Sequence, residues 1–256
     1  MTGFFANLVE TKTRPDSCPL HGDFESHQWF GKVWSKCPTC QSERQEAEAK
    51  ERAEKERADR VRRWESKLQC AAIPERFLDR SLKTFVADTP EQKQQLEFAY
   101  AFASQFQGRP TGRSAIFCGP TGTGKTHLAV GIAKHIMHNH HSTALFLTVQ
   151  RAIRRVRATW SRDSPESETE AVAALVFPDL LILDEVGVQA GSDNERAILF
   201  DLLNERYERR RPVLLLTNLE VDECRGYLGD RVFDRLREDG GQVQVFGGES
   251  YRGREN

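Results

Sequence analysis

The chain has 256 residues, of which 38% are hydrophobic, so it can form one domain of ordinary size together with a small additional module. Its 37 basic and 38 acidic residues nearly cancel, which excludes a uniformly basic nucleic-acid-binding chain and leaves only local charge clusters for that role. No apolar run approaches the roughly 20 residues of a membrane span, and the N-terminal residues lack the features of a secretory signal. We therefore expect a cytoplasmic protein that does not contact membranes.

The first feature in chain order is a pair of metal-ligand motifs, Cys-x-x-His followed by Cys-x-x-Cys. Each short turn can present two ligands to one tetrahedral ion, and thiolates and imidazoles are good zinc ligands. The spacing predicts a closed Zn²⁺ site of Cys18, His21, Cys37 and Cys40, suited to structure and binding rather than to catalysis. The alternatives are unlinked reduced thiols, or His27 as a rival ligand, although His27 fits no paired spacing.

The segment from Ser42 to Gln69 is highly charged, with 17 charged residues among 28 and neither glycine nor proline. Five pairs with an acid four residues before a base favour a helix. These pairs are Glu46/Lys50, Glu48/Arg52, Glu51/Lys55, Glu56/Arg60 and Asp59/Arg63. A disordered charged linker is the alternative. The predicted organisation is a zinc-binding module over 1–41, a charged helical linker over 42–70 and an α/β domain over 71–256.

From residue 71 onward, short apolar runs alternate with helical stretches, which is the pattern of a parallel α/β domain. Continuous apolar runs suit strands that are covered on both faces. The runs are SAIFCG at 114–119, TALFLT at 143–148, DLLILDE at 179–185, PVLLLTN at 212–218 and QVQVFGG at 242–248. The segment 191–210 is predicted to be a helix, because Ser192 and Glu195 have capping-box spacing and four aliphatic residues share one face.

The sequence GPTGTGKT follows the first of these runs and matches the phosphate-binding loop G-x-x-x-x-G-K-[ST] at the start of a helix. In such a loop the glycines let backbone N–H groups surround the phosphates. Lys125 can neutralise the β and γ oxygens of ATP, and the Thr126 hydroxyl can coordinate Mg²⁺. A chance glycine-rich turn is the alternative. The nucleotide-binding residues predicted here are Gly119, Pro120, Thr121, Gly122, Thr123, Gly124, Lys125, Thr126 and His127.

A second motif, LLILDE, supports the nucleotide-binding interpretation of GPTGTGKT. Four apolar residues, which predict a strand through the core, directly precede Asp184 and Glu185. Ligands of open α/β sheets bind at the carboxyl ends of the strands, where this run places both acids. Asp184 suits Mg²⁺, and Glu185 suits a base that activates water. Asn218 ends the next apolar run and could orient the attacking water. The structural alternatives are acids that merely meet solvent at a strand end and a common turn asparagine.

With these motifs in place, residues 71–252 resemble the AAA+ helicase loaders of the DnaC type, with the IstB-type transposition ATPases close behind. GPTGTGKTHLA is similar to their Walker A loop, LLILDEVG to Walker B, LLLTN to sensor 1, LGDRVFDRL to the arginine-bearing box and ESYR to sensor 2. The cysteine module departs from the enterobacterial form of the loader, although similar modules occur in phage-type relatives.

The resemblance implies a P-loop AAA+ ATPase with a five-stranded parallel sheet of order 5-1-4-3-2. It implies that the protein engages a hexameric replicative helicase, places it on single-stranded DNA and forms a homo-oligomer on helicase or DNA. Arg231 and Arg235 are the candidates for an arginine finger that reaches a neighbouring subunit, and Arg252 is the candidate for sensor 2. The alternative for the first two is a helix face paired with Asp230 and Asp234.

A basic helix face is predicted in the stretch VQRAIRRVRATWSR. In helical projection four arginines fall within an arc of roughly 100°, and Trp160 lies on the opposite, apolar side, where we expect it to pack in the core. Without any acid in the stretch, the basic face could follow the phosphates of a single strand, and the related loaders use the corresponding region for single strands. A solvated face is the alternative. The four arginines are Arg151, Arg154, Arg155 and Arg162.

The sequence leaves three functional hypotheses. A helicase loader is favoured, a transposition helper ATPase is second, and a zinc-containing adaptor with a nucleotide switch is third. Partner identity separates the first two, and ATP turnover excludes the third. We expect the zinc module to dock on the helicase rather than on DNA, because the stretch 18–40 has only Lys32 and Lys36 as bases against Asp23 and Glu25.

Overall fold

The computed structural model divides the chain into two compact units, with the division after Arg63. None of the helices in the described part of the chain is both long enough and apolar enough to cross a bilayer. The described residues are 12–29, 33–108, 111–188, 193–248 and 250–251.

The first unit contains a small antiparallel sheet in the order β1-β2-β3. Its strands are β1 Thr13–Cys18, β2 Gly22–Trp29 and β3 Val33–Trp34. Gly22 opens β2 with a φ of +78°, a conformation that glycine adopts without steric penalty. Because Cys18 is paired with Gly22, the turn between the two strands is tight, and it carries the first pair of predicted metal ligands.

Helix α1, Pro38–Cys70, confirms the helix predicted over 42–69 and begins a few residues earlier. Proline is tolerated in a first helical turn, where its missing N–H has no intrahelical partner. The five predicted acid–base pairs do not form in α1, all of which the structure describes. The ion pairs between two residues of α1 are instead Arg44–Glu48 at 2.8 Å and Asp59–Arg62 at 3.9 Å. Exposed pairs of this kind contribute little free energy, so their identity is poorly determined by spacing.

The second unit is an α/β domain built on a parallel five-stranded sheet in the order β5-β6-β7-β4-β8. Counted from one to five in chain order, its strands have the order 5-1-4-3-2 read from the opposite edge. The predicted fold and strand order are therefore confirmed. The strands are β4 Ala115–Cys118, β5 Ala144–Thr148, β6 Leu180–Val186, β7 Val213–Thr217 and β8 Gln242–Val245.

Helices cover both faces of this sheet. They are α2 Pro90–Ser104, α3 Lys125–Asn139, α4 Val149–Ala158, α5 Glu168–Val176, α6 Asp193–Glu208, α7 Val221–Leu228 and α8 Asp230–Arg237, with 3-10 turns at Glu75–Phe77, Leu82–Thr84, Gln105–Gln107 and Glu238–Gly240. Alternate residues of β4 enter two apolar cores: Ala115 and Phe117 pack with α2 and α3, and Ile116 and Cys118 pack with α4 to α8. Burial on both faces explains why the strand is uniformly apolar.

Helix α6 confirms the helix predicted over 191–210, and Ser192 of its predicted capping box lies outside the described residues. The helix carries a cation, Arg206, whose side chain is fully buried. Burial lowers the pKa of Arg206, while hydrogen bonds to four carbonyl oxygens compensate its charge. The guanidinium thereby ties the end of α5 to the segments that enter β6 and β7. The four acceptors are Leu175, Val176, Pro178 and Pro212.

We predict that Arg206→Leu lowers the free energy of unfolding by at least about 3 kcal/mol, because four buried carbonyls lose their donor. Urea unfolding followed by circular dichroism measures the change. Arg209→Leu is the matched control, since Arg209 is an exposed arginine of the same region that pairs with Glu205 at 3.0 Å. The control should lose less than about 1 kcal/mol, and equal losses in the two variants would contradict the role assigned to Arg206.

Candidate nucleotide and metal sites

The predicted phosphate-binding loop joins β4 to α3. Gly119, its first residue, has a φ of +134°, and a Cβ built on it would lie 2.0 Å from the carbonyl oxygen of Phe246. No side chain fits at that distance, because the backbone after β8 crosses the start of the loop. The first glycine of the motif is therefore required by packing as well as by conformation.

Lys125 begins α3, is buried, and has its amino group among three oxygen atoms. Nζ donates hydrogen bonds to the carbonyls of Gly119 at 2.5 Å and Pro120 at 2.7 Å, and to Oδ1 of Asn218 at 3.1 Å. Asn218 follows β7, which is the neighbour of β4 in the sheet. Strand order thus brings the predicted sensor residue into contact with the predicted phosphate-binding lysine.

Thr126 and Asp184 meet beside the loop. The Thr126 hydroxyl donates a hydrogen bond to Oδ2 of Asp184 at 3.3 Å, and the backbone N–H of Glu185 donates to Oδ1 at 2.8 Å. Burial raises the pKa of Asp184, while these two hydrogen bonds oppose that shift. A hydroxyl and a carboxylate are hard oxygen donors of the kind that Mg²⁺ prefers, so the pair fits the predicted metal.

Glu185 is exposed and has a left-handed backbone conformation with a φ of +61°. The register between β6 and β7 shifts between Leu183 and Val186, which marks a bulge at this position. Positive φ is strained for a residue with a side chain, and bulges and strain of this kind cluster at functional positions. The irregularity separates the two acids, since Asp184 is partly buried while Glu185 faces solvent.

Two residues near the C-terminus also contact the loop. The backbone N–H of Tyr251 donates a hydrogen bond to the carbonyl of Gly122 at 3.0 Å. A Cβ on Gly122 would lie 2.0 Å from the hydroxyl oxygen of Ser250. Arg252, the predicted sensor 2 residue, lies outside the described residues.

The His127 side chain contacts the segment before α2. Its Nε2 lies 3.0 Å from the carbonyl oxygen of Ser81 and 3.2 Å from the hydroxyl oxygen of Thr84. The ring packs edge-on against Phe85 at 5.3 Å, and burial lowers the pKa of His127. These contacts are structural, and a role of His127 in nucleotide binding stays a prediction.

The two arginine-finger candidates lie on α8 and differ in their contacts. Arg235 donates a hydrogen bond to Oδ1 of Asn204, and its guanidinium carbon lies 4.8 Å from the ring centroid of Tyr207. Arg231 is exposed. One arginine is therefore held in position by side chains of α6, and the other faces solvent.

The acids of α8 pair with a different arginine. Arg225 lies 2.5 Å from Asp230 and 3.9 Å from Asp234, measured between guanidinium nitrogens and carboxylate oxygens. Within the described residues neither finger candidate has an ion pair with these acids. The contacts therefore differ from the salt-bridged alternative that the sequence left open.

The arginines predicted to bind DNA lie on α4 and in the turn that follows it. Arg151, Arg154 and Arg162 are exposed. Arg155 pairs with both carboxylate oxygens of Glu166, with Nη2 at 2.6 Å and Nε at 3.2 Å. The stretch contains no acid along its own sequence, yet Glu166 reaches this face from the segment beyond the turn.

The prediction that Trp160 packs in the core is wrong. Helix α4 ends at Ala158, so a helical projection does not apply to Trp160, which lies in a turn and is 49% exposed. Its Nε1–H donates a hydrogen bond to Glu168 at 2.8 Å. An exposed aromatic ring therefore lies two residues before the exposed Arg162.

The four predicted zinc ligands come together in the first unit, and His27 is not part of the cluster. Cys18 Sγ lies 3.5 Å from Cys40 Sγ, and all four ligand atoms lie within 4.8 Å of one another. His21 Nδ1 lies 3.2 Å from the sulfur of Cys40 and 3.8 Å from those of Cys18 and Cys37. A tetrahedral zinc ion requires ligand separations of about 3.5–3.8 Å, so these residues fit zinc.

The thiols of Cys18 and Cys40 differ in their pKa values. Backbone hydrogen bonds from Leu20, and more weakly from His21, lower the pKa of Cys18 to about 6 against the opposing effect of desolvation. The hydrogen bond with Cys18 raises the pKa of Cys40 to about 11. The two shifts run in opposite directions because the two sulfurs share one hydrogen bond. Both sulfurs bind metal as thiolates, so zinc binding must displace any proton that the pair holds.

Comparison with known proteins identifies the family. The model of the IstB-like ATP binding protein family matches residues 41–256. The chain belongs to this family. The replicative helicase loader DnaC of Escherichia coli K12 is 33% identical over 174 residues, which cover 68% of this chain and 69% of that protein. DnaC of Buchnera aphidicola from Schizaphis graminum is 30% identical over 182 residues, which cover 71% and 73%.

Solved structures support the same fold for this IstB-like chain. A crystal structure of the DnaC helicase loader has a TM-score of 0.62 and 22% identity, covering 68% of this chain and 100% of that one. A crystal structure of DnaI has a TM-score of 0.58 and 18% identity, covering 70% and 94%. The chain is thus homologous to the DnaC loaders and carries the ATP-binding AAA+ domain of the IstB-like family.

Several contacts of these sites escaped the sequence reasoning. Phe246 lies against the loop because β8 pairs with β4, so the predicted strand order could have indicated it. No sequence motif predicts that Glu166 contacts Arg155 on the basic face. No motif predicts that Oε1 of Glu43 lies 3.1 Å from Nε2 of His21. Long-range side-chain contacts of this kind depend on where turns end, which spacing does not specify.

Proposed function

We propose that this protein is an ATP-dependent loader that binds a hexameric replicative helicase and places it on single-stranded DNA during replication initiation. The observation that carries the proposal is the convergence of Lys125, Thr126, Asp184 and Asn218 in a chain homologous to the DnaC loaders. A transposition helper ATPase is the second candidate, favoured by the family description. The 33% identity with DnaC favours the loader.

ATP hydrolysis is proposed to use the groups at the carboxyl ends of β4, β6 and β7. Lys125 exchanges its present carbonyl contacts for phosphate oxygens, and Thr126 and Asp184 hold Mg²⁺. The metal, when bound, supplies charge neutralisation on the phosphates. Glu185 accepts a proton from the attacking water, which Asn218 orients. Measured turnover of this kind would exclude the third hypothesis, a zinc-containing adaptor with a nucleotide switch.

We propose that the protein forms a homo-oligomer on helicase or DNA, in which an arginine of α8 reaches the nucleotide of a neighbouring subunit. Arg235 is already oriented by Asn204, and Arg231 is exposed. Both remain candidates, and Arg252 remains the candidate for sensor 2. An arginine finger stabilises the charge that develops on the transferred phosphoryl group.

The proposed organisation has a zinc module over 1–41 that docks on the helicase, a helical linker over 42–70 and the ATPase domain over 71–256, in a cytoplasmic protein. The family match begins at residue 41, so it leaves the four zinc ligands outside, which supports a separate module. A closed four-ligand site has no open position for catalysis, which favours binding as its role.

We predict that Lys125→Ala abolishes nucleotide binding, because it removes the charge that holds the phosphates. Glu185→Gln should retain binding while turnover falls by at least about a hundredfold, because only the proton acceptor is lost. Fluorescent-nucleotide titration and phosphate release measure the two properties. Glu97→Gln, an exposed acid on α2, is the control and should resemble the wild type. Equal turnover in Glu185→Gln and wild type would refute the assigned base.

Single-stranded DNA is proposed to follow the basic face of α4. Arg151, Arg154 and Arg162 can contact phosphates directly, whereas Arg155 must first exchange its pairing with Glu166. The exposed ring of Trp160 adds a surface on which a base can stack. The combination of dispersed positive charge and one aromatic ring suits binding that does not depend on base sequence.

We predict that Arg151→Glu combined with Arg154→Glu weakens single-strand binding by at least about tenfold at low salt. The salt dependence should also flatten by about 0.7 per lost phosphate contact. Fluorescence anisotropy over a salt series measures both, and nucleotide affinity should stay unchanged. Arg57→Glu with Arg60→Glu on α1 makes the same change in net charge and serves as the control. Unchanged DNA affinity in the α4 variant would favour the solvated-face alternative.

We predict that deleting residues 1–41 abolishes helicase association but leaves ATP hydrolysis and single-strand binding largely intact. The full-length variant Cys37→Ser with Cys40→Ser should behave in the same way, because it removes two zinc ligands. Co-purification from host lysate with and without ATP, together with metal analysis, measures the outcome. Cys70→Ser is the matched control, since Cys70 is exposed and outside the cluster.

Retention of helicase at full affinity by the truncated protein would overturn the docking role. An intact chain without zinc would overturn the metal site. Recovery of a transposase in place of a helicase would support the transposition helper instead.

A further inference from the structure

The two ring nitrogens of His21 face different partners. Nδ1 faces the thiols and lies 3.2 Å from the sulfur of Cys40, the nearest of the three. Nε2 lies 3.1 Å from Oε1 of Glu43. Because the two nitrogens lie on opposite sides of the ring, presenting Nε2 to the sulfurs would break the contact with Glu43.

Glu43 reaches this position because of its place on α1. It stands three residues after Cys40, and residues at this spacing lie on the same face of a helix. One turn of α1 therefore supplies both a thiol of the cluster and a carboxylate behind the imidazole. The same turn is tied twice to the hairpin between β1 and β2, once through Cys40 and once through Glu43.

The contact between Glu43 and Nε2 determines which nitrogen carries the proton. An ionised carboxylate can only accept a hydrogen bond, so the contact with Glu43 favours a proton on Nε2. In the neutral ring Nδ1 then carries the lone pair, on the side that faces the three sulfurs. A metal-binding histidine requires this arrangement, with one nitrogen on the metal and the other donating to an outer partner.

We propose that Glu43 is a positioning residue of the zinc site: it holds His21 in the Nε2–H tautomer and so makes Nδ1 the zinc-binding atom. This inference rests on the proposed zinc module, and Glu43 itself does not bind the metal. Loss of such an outer carboxylate typically weakens metal binding by about 10- to 100-fold. The Glu43 side chain is 60% exposed, so solvent screens its charge and we expect an effect near the lower end.

The test uses the full-length protein with zinc as the only added ligand. In the zinc-loaded wild type, nitrogen chemical shifts of ¹⁵N-labelled histidine should show Nδ1 bound to metal and Nε2 protonated. Competition with a chromophoric chelator should show zinc affinity about tenfold lower in Glu43→Ala. Glu43→Gln keeps an acceptor oxygen without the charge and should lie between. Glu46→Ala, the next acid on the same helix face, should match the wild type.

The possible results distinguish a wrong role for Glu43 from a wrong zinc module. If the wild type binds no zinc, both the zinc module and the role of Glu43 are wrong. A wild type that binds zinc through Nε2, or a Glu43→Ala variant with unchanged zinc affinity, overturns the role of Glu43 alone. The tautomer is measured in the wild type, so the proposal stays testable even if Glu43→Ala does not fold.

Discussion

The candidate nucleotide site depends on the close approach of two backbone segments at the end of β4. The N–H of Phe246 donates a hydrogen bond to the carbonyl of Cys118 at 2.7 Å, and the Phe246 ring packs against Phe117 at 4.9 Å. The carbonyl of Phe246 then passes over Gly119 at a distance that excludes any side chain. The shape of the predicted phosphate-binding loop is therefore set partly by a segment that follows the last strand of the sheet.

Strand order completes the site by bringing together residues that are far apart in sequence. β7 lies between β4 and β6, so Asn218 at the end of β7 meets Lys125, and Asp184 at the end of β6 meets Thr126. In a parallel sheet all carboxyl ends lie on one edge, which is why polar groups that follow successive strands can act on one ligand. The site is a consequence of topology as much as of motif.

The sequence is most informative where one physical requirement dominates. Strands β4 to β7 could be predicted because burial on both faces demands apolar runs, and the clustering of Cys18, His21, Cys37 and Cys40 could be predicted because tetrahedral coordination favours paired spacing. The wrong position of Trp160 arose because α4 stops at Ala158 without a glycine or proline to mark its end. The left-handed Glu185 was not predictable, because a bulge depends on register with a neighbouring strand.

The pairing of charged side chains on the surface is the part of the structure that the sequence predicts least well. The ion pairs on α1 differ from those expected from four-residue spacing, and Glu166 enters the basic face of α4 from beyond a turn. Exposed pairs differ by less than about 1 kcal/mol, so several arrangements compete. Contacts that involve a buried or preorganised group, such as Lys125 with Asn218, are far more restricted.

The pairing of β8 with β4 also affects the order in which parts of the chain can fold. These strands are more than a hundred residues apart in the chain, and the segment after β8 supplies the contacts of Phe246 and Tyr251 with the loop. A nascent chain emerges from the ribosome N-terminus first, so the hairpin of the first unit can form early. The edge of β4 that pairs with β8 stays unpaired until β8 is available. Strands that are far apart in sequence pair slowly, and the folding intermediates expose apolar surface that is prone to aggregate. The contacts of Phe246 and Tyr251 with the loop can therefore form only after these two residues have left the ribosome, so the loop completes its packing late in the folding of the domain.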